Sequence, residues 1–267
     1  MKLTLNSVGE TALITLYAKA MDYKSKNSVL KDQISWELYC KIDYDFSKLK
    51  NKWLSYYGIL GRAKTFDQEI RKFIEASPNC IIVSLGAGLD TEFYRVDNGQ
   101  IDWYNIDFPE TIIARESLFD KHPRVHNISK SILDPSWVND IKTEGRNVLF
   151  ISEGVLMYLT EQEVKFLLTT LTDSFDYFTA YFDLLYKGMV KKGKHHDVVK
   201  KMNVDFLWGS TDGSEVVKLN PKIKQIGFIN FTHNMMSLVS GWKKLFYPFI
   251  YIFNNRMGLY EYKNSSK

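Results

Sequence analysis

Two glycines and a carboxylate carry the first chemical suggestion in this chain. Gly86-Ala87-Gly88 follows directly on the apolar run Ile81-Ile82-Val83-Ser84-Leu85. Glycines where a strand ends let a ligand come against backbone that a side chain would shield. Asp107 closes a second apolar run over 101–107, 21 residues after Gly86, the separation at which a carboxylate can accept hydrogen bonds from both hydroxyls of a ribose. A full dinucleotide fingerprint needs a third glycine at position 91, where this chain has Thr91. A nucleoside without a diphosphate therefore suits the pattern better than a nicotinamide dinucleotide. Taken alone, the motif reads equally as a tight turn, with Asp107 as a helix N-cap.

These residues need a sheet to position them. Runs of β-branched and apolar residues over 81–85, 101–107, 124–128, 147–152 and 177–183 read as strands, the third the weakest. Pro109 opens a helix after the second strand, and Thr160-Glu161-Gln162-Glu163 is a capping-box sequence before Val164, Leu167, Leu168 and Leu171. Strands alternating with helices predict an α/β fold with a mostly parallel sheet and helices on both faces. Upstream, helical spacing over 10–25 and 62–76 predicts a helical cover. Downstream, the blocks 226–231 and 259–262 predict terminal strands after an insertion. The expected organisation is one domain over 1–267: cover 1–78, core 79–186, and acceptor-site insertion with terminal strands 187–267.

Composition narrows the classes. With 45% hydrophobic, 15% aromatic and 25% charged residues the chain can bury a core. A net charge of +4 is too small to make nucleic acid a partner. Cys40 and Cys80 lie far apart and predict neither disulfide nor zinc knuckle, which fits a reducing, cytoplasmic setting. Residues 1–10 do not read as a secretory signal. The apolar run 245–253 includes Pro248 and is shorter than the ~20 residues of a spanning helix, so no membrane span is expected. His195-His196-Asp197 lies among lysines and reads as a solvated loop, so no metal is expected. The lysines at 187, 191, 192, 194, 200 and 201 read as an exposed face. The aromatic stretch 242–253 could line an apolar acceptor pocket or an oligomer contact, burial in the core being the simpler account.

The segments Val-Ser-Leu-Gly-Ala-Gly-Leu-Asp-Thr (83–91), Trp-Tyr-Asn-Ile-Asp-Phe-Pro-Glu (103–110) and Ile-Ser-Glu-Gly-Val-Leu-Met-Tyr-Leu (151–159) occur in that order. Together they resemble the leucine carboxyl methyltransferase family. The resemblance is closer to its bacterial branch of polyketide-type O-methyltransferases, with Glu10-Thr-Ala-Leu-Ile-Thr-Leu-Tyr-Ala-Lys19-Ala and Ile42-Asp-Tyr-Asp-Phe-Ser-Lys adding to it. It covers residues 9–186 and is loose beyond, where acceptor choice would be written. It implies a class I methyltransferase (Rossmann-like) fold that binds S-adenosylmethionine and releases S-adenosylhomocysteine.

By the same resemblance Lys19 and Arg62 would hold the methionyl carboxylate, though Lys19 by itself reads as a solvated helix face. Gly86, with Ala87 and Gly88, would form the cofactor loop, and Asp107 would bind the ribose. Ser131 and Ile132 would flank the adenine; the leucine-specific branch has Asp where Ser131 stands. Glu153 would face the cofactor's amino group, and ending an apolar strand it calls for a cationic partner. Glu153 and Tyr158 are the weak catalytic candidates. Asp90 and Arg95 read as a loop-shaping ion pair, and Glu92 stands where a basic residue is common. The expected activity is O-methylation of a carboxylate or hydroxyl on a small-molecule acceptor. Three other functions stay open: protein C-terminal carboxyl methylation, an NAD(P)-dependent oxidoreductase, and a noncatalytic S-adenosylmethionine-binding protein. No oligomeric state is implied.

Overall fold

The computed structural model describes residues 1, 3, 7–50, 52–191 and 205–264. In chain order the helical cover is α1 (Ser7–Glu10), α2 (Ala12–Tyr23), α3 (Gln33–Lys41) and α4 (Trp53–Ala76). The core follows as β1 (Ile81–Leu85), α5 (Glu92–Val96), β2 (Asp102–Asp107), α6 (Pro109–Leu118), β3 (Val125–Ser129), β4 (Val148–Ser152), α7 (Glu161–Ser174) and β5 (Tyr177–Leu184). The last elements are α8 (Ser214–Leu219), β6 (Lys224–Asn230), α9 (Thr232–Leu238), α10 (Tyr247–Phe253) and β7 (Arg256–Lys263).

One seven-stranded sheet has the order β3-β2-β1-β4-β5-β7-β6. The first five strands pair in parallel, and β7 runs antiparallel between β5 and β6. The reversal of strand order falls between β1 and β4, where a crevice opens beyond the strands' carboxyl ends. The pleat sends Ile81, Val83 and Leu85 to one face, against Val164, Leu167 and Leu171 of α7. It sends Ile82 to the other, against Phe66, Ile70 and Ile74 of α4. Both bonds of the Thr160–Glu163 capping box form at the start of α7. Leu13, Leu16, Leu38 and Phe46 of the cover make a further cluster that includes Leu89 and Met157, beside the crevice.

The five expected core strands are present, with ends shifted by a residue or so. Helix α4 begins at Trp53, nine residues before the expected 62. Gly58 and Gly61 weaken its helical signal, yet Gly61 is needed: a Cβ there would stand 2.6 Å from the Met235 backbone of α9. The aromatic stretch corrects an expectation. Trp242, Leu245, Phe246 and Phe249 are exposed rather than buried in the core, because α10 lies on the surface between α9 and β7. His195-His196-Asp197 lies outside the described residues.

Gly61→Ala is expected to cost about 1–3 kcal/mol, as overpacking does. Gly58→Ala, whose Cβ would meet nothing within 4 Å, is expected to stabilise by about 0.5–1 kcal/mol. Urea denaturation of the two variants checks the opposite signs.

Candidate active site

The chain leaves β1 through Gly86 and Gly88, with φ of +74° and +51°, in the left-handed region that favours glycine. A Cβ on Gly86 would also stand 2.5 Å from a Val155 methyl, so the loop after β1 and the loop after β4 meet at van der Waals distance there. The amides of Gly86 and Ala87 donate to the Ile106 carbonyl at 2.8 and 3.2 Å. Gly88 N–H donates to Asp107 Oδ2 at 2.7 Å. Burial raises the Asp107 carboxyl, against the pull of the Gly88 and Phe108 amides.

Buried charges hold this loop from behind. Arg115 Nη1 donates to the carbonyls of Gly88 and Asp90, at 3.0 Å each. Lys19 is 1% exposed and ion-paired with Asp90, which corrects the solvated-face reading. Burial would raise the Asp90 carboxyl, but Lys19 and Arg95 outweigh it and hold it below the usual range. The expected Asp90–Arg95 pair is loose at 3.9 Å. Arg95 instead binds Asp67 at 2.9 Å and Asp32 at 2.8 Å, and Asp32 also caps α3 through the Ser35 amide. Neither aspartate is marked by a motif in the sequence. Sequence separations of 28 and 63 residues from Arg95 left no local signal.

Across the crevice, Glu153 follows β4. Its Oε1 accepts from Arg62 Nε at 3.0 Å, the cationic partner that its position demanded. Arg62 Nη1 donates to Asp183 Oδ2, also at 3.0 Å. Asp183, near the end of β5, belongs to no motif of the sequence. It is fully buried, with Oδ1 accepting from Asn255 and Oδ2 from the Gly154 amide. Burial pushes its carboxyl up to about 6, against the opposing pull of Arg62. Burial would lower the Arg62 guanidinium, but the two carboxylates raise it. Glu153 Oε2 is buried with no hydrogen-bond partner among the described residues.

These parts surround one cavity of about 640 Å³, within the range of small-molecule sites. Gly86, Ala87, Gly88 and Asp107 line one side. Ser131, Ile132, Arg62, Glu153 and Tyr158 line it too. Lys19 stands apart: it is not among the lining residues, and its ammonium is engaged by Asp90. Glu92 does line the cavity; burial first, and then Asp90 and Asp67, raise its carboxyl well above the usual range. Burial raises the Tyr158 phenol, so the hydroxyl stays protonated at neutral pH. The rest of the wall is largely apolar, with Phe206, Phe231, Met235, Phe249 and Phe253 among its residues.

A family model described as leucine carboxyl methyltransferase matches residues 12–172. The tetracenomycin polyketide synthesis O-methyltransferase of Streptomyces glaucescens is 27% identical over 206 residues, 77% of this chain and 76% of its own. An S-adenosyl-L-methionine-dependent methyltransferase of Gibberella zeae is 32% identical over 191 residues, 65% of this chain and 63% of its own. Among solved structures, an S-adenosylmethionine-dependent methyltransferase of Anabaena variabilis superposes with a TM-score of 0.54 at 10% identity, covering 76% of this chain and 84% of that one. At that identity the likeness concerns the fold alone.

Arg62→Ala leaves two buried carboxylates without their cation, which is expected to cost about 3–5 kcal/mol at neutral pH. Without the guanidinium, Asp183 rises beyond its value of about 6. An acid raised on folding contributes stability that is complete below its unfolded pKa and lost as pH climbs through the folded one. The penalty of Arg62→Ala should therefore grow from pH 5 to pH 8, as read by urea denaturation against the unsubstituted chain. A penalty independent of pH would contradict the Arg62–Asp183 coupling.

Proposed function

This chain belongs to the leucine carboxyl methyltransferase family, and on that premise we propose that it transfers a methyl group from S-adenosylmethionine to an oxygen of a small-molecule acceptor. One observation carries the proposal. A glycine cradle, a carboxylate at the end of β2 and a buried, unpartnered Glu153 oxygen converge on a single cavity at the sheet's switch point. The name of the Streptomyces relative, an O-methyltransferase of polyketide synthesis, supports the oxygen acceptor and the small molecule.

The residues fit the cofactor part by part. Asp107 accepts from the ribose hydroxyls, and Gly86, Ala87 and Gly88 leave room for the nucleoside against bare backbone. Ser131 and Ile132 flank the adenine. Glu153 Oε2 takes the ammonium of the methionyl end, and Arg62, anchored by Glu153 and Asp183, faces its carboxylate. Lys19 serves that end indirectly, by fixing Asp90 in the loop.

When bound, S-adenosylmethionine supplies a methyl group already activated on a sulfonium sulfur. What remains for the protein is to align the acceptor oxygen and keep water out. The apolar wall around Phe206 and Phe231 does the second. Tyr158, held as a neutral phenol, offers a hydrogen-bond donor near the acceptor. A carboxylate acceptor, ordinarily ionised above a pKa of ~4, needs no base. A hydroxyl acceptor would need one, and Glu153 is committed through Oε1 to Arg62 and through Oε2 to the methionyl ammonium, so methyl-ester formation is favoured.

S-adenosylhomocysteine at a hundredfold excess over its Kd should raise the melting temperature by roughly 5 °C or more, and NAD(P) should leave it unchanged; the reverse pattern defeats the proposal. Asp107→Ala should weaken cofactor binding by about 1.5–3 kcal/mol, the worth of hydrogen bonds to a charged group. An equal Kd by calorimetry for variant and unsubstituted protein would count against Asp107. Methyl-labelled cofactor with a panel of carboxylic and hydroxylated acceptors tests turnover, a base-labile label marking an ester.

A further inference from the structure

The segment between α9 and β7 presents the most exposed apolar surface of the described residues. Leu245 is 82% exposed, Trp242 66% and Phe249 63%, with Phe246 and Ile252 beside them. Such a continuous apolar patch marks an interaction surface. Its charge is of one sign: Lys243 and Lys244 sit within it, and from residue 216 to residue 260 the chain carries no Asp or Glu. Lys243 lies over the rings of Trp53 and Tyr57, at 5.3 and 5.9 Å from their centroids, while Lys244 is exposed. The patch is also continuous with the cavity, because Phe249, Ile250 and Phe253 of α10 line it, and so does the half-exposed Leu54 of α4.

We propose that this face docks on an anionic bilayer surface, with Trp242, Leu245, Phe246 and Phe249 entering the headgroup boundary and Lys243 and Lys244 meeting lipid phosphates. Aromatic and aliphatic side chains interleaved with lysine suit the membrane–water interface, where each ring and stem finds apolar depth and each ammonium stays hydrated. A second copy of this chain suits the face poorly. A two-fold contact would bring the patch against itself and set Lys243 and Lys244 near their own counterparts with no carboxylate in the segment to neutralise them. Docking is peripheral: no helix of the described residues is long and apolar enough to cross a membrane. The exposed lining residues Leu54, Phe249 and Phe253 then face the lipid, giving an amphiphilic acceptor a route from bilayer to site without crossing water.

Flotation of the full chain with vesicles tests this directly, using phosphatidylcholine alone and phosphatidylcholine mixed equally with phosphatidylglycerol. The unsubstituted protein should float with the mixed vesicles and be released by salt. Trp242→Glu/Leu245→Glu should lower the partition coefficient by roughly tenfold or more, and Lys244→Glu by about fivefold on the anionic vesicles only. Neither variant touches the cavity, so S-adenosylhomocysteine binding should be unchanged in both. Protein that stays below the gradient with the mixed vesicles overturns the proposal, as does equal flotation of the double variant. Sedimentation showing a dimer that the double variant converts to monomer would assign the face to a second copy and overturn it as well.

Discussion

A parallel sheet whose strand order reverses between β1 and β4 cannot cover the ground between their carboxyl ends, and the rest of this molecule is arranged around that gap. The connections from β1 and β4 leave toward opposite flanks of the sheet, so backbone N–H groups, glycines and strand-terminal side chains face a common crevice. Gly86 shows how tight the constraint is. Its positive φ turns the chain away from β1, and the Val155 methyls from the β4 side occupy the space where a side chain would stand. Asp107, one strand over, reaches the same crevice because β2 ends level with β1 and its carboxylate accepts from Gly88 N–H.

The polar wall of the crevice is costly to hold, and the cost is met by pairing. Three buried cations behind the loop, Lys19, Arg95 and Arg115, each engage it or its neighbours. On the far wall Arg62 joins Glu153 to Asp183, so a side chain of the long cover helix is bound to the ends of two core strands. Paired this way, the charges keep fixed directions in a low-dielectric pocket, which is the condition for recognising an amphoteric ligand. Where pairing stops is equally informative. Glu153 retains one buried oxygen without a partner among the described residues, the atom to which the proposed function assigns the ammonium.

The C-terminal elements finish the sheet and then depart from globular habit. β7 inserts antiparallel beside β5 and brings Asn255 to Asp183, so even the buried ion pair depends on the last strands. Between β6 and β7 the chain exposes aromatic surface instead of burying it. The same segment closes one side of the cavity, linking the chemistry at the sheet to whatever medium meets that face.

Much of this was open to reading in the sequence, and the reason is locality. Strands β1 to β5 announce themselves through short β-branched runs, α7 through its capping box, and the cradle through Gly86 and Gly88 directly after a strand. Glu153 was legible as a carboxylate demanding a cation, and Arg62 as a basic residue on a helix. Their union across 91 positions left no signal in the sequence and is made by the packing of α4 on the sheet. Asp32, Asp67 and Asp183 were not legible, because an aspartate is ordinary until a distant arginine is brought to it. Lys19 shows the same limit, since helical spacing placed it off the apolar stripe while the Asp90 loop covers that face and buries it. The exposed aromatics 242–253 erred in the other direction: hydrophobicity argues for burial, but whether a core surface is available to bury against is decided by the other elements. Backbone preferences and periodic patterns, acting over a few residues, determined the elements and the cradle; the pairing of buried charges and the direction of the aromatic face are long-range properties that exist only once the chain has closed on itself.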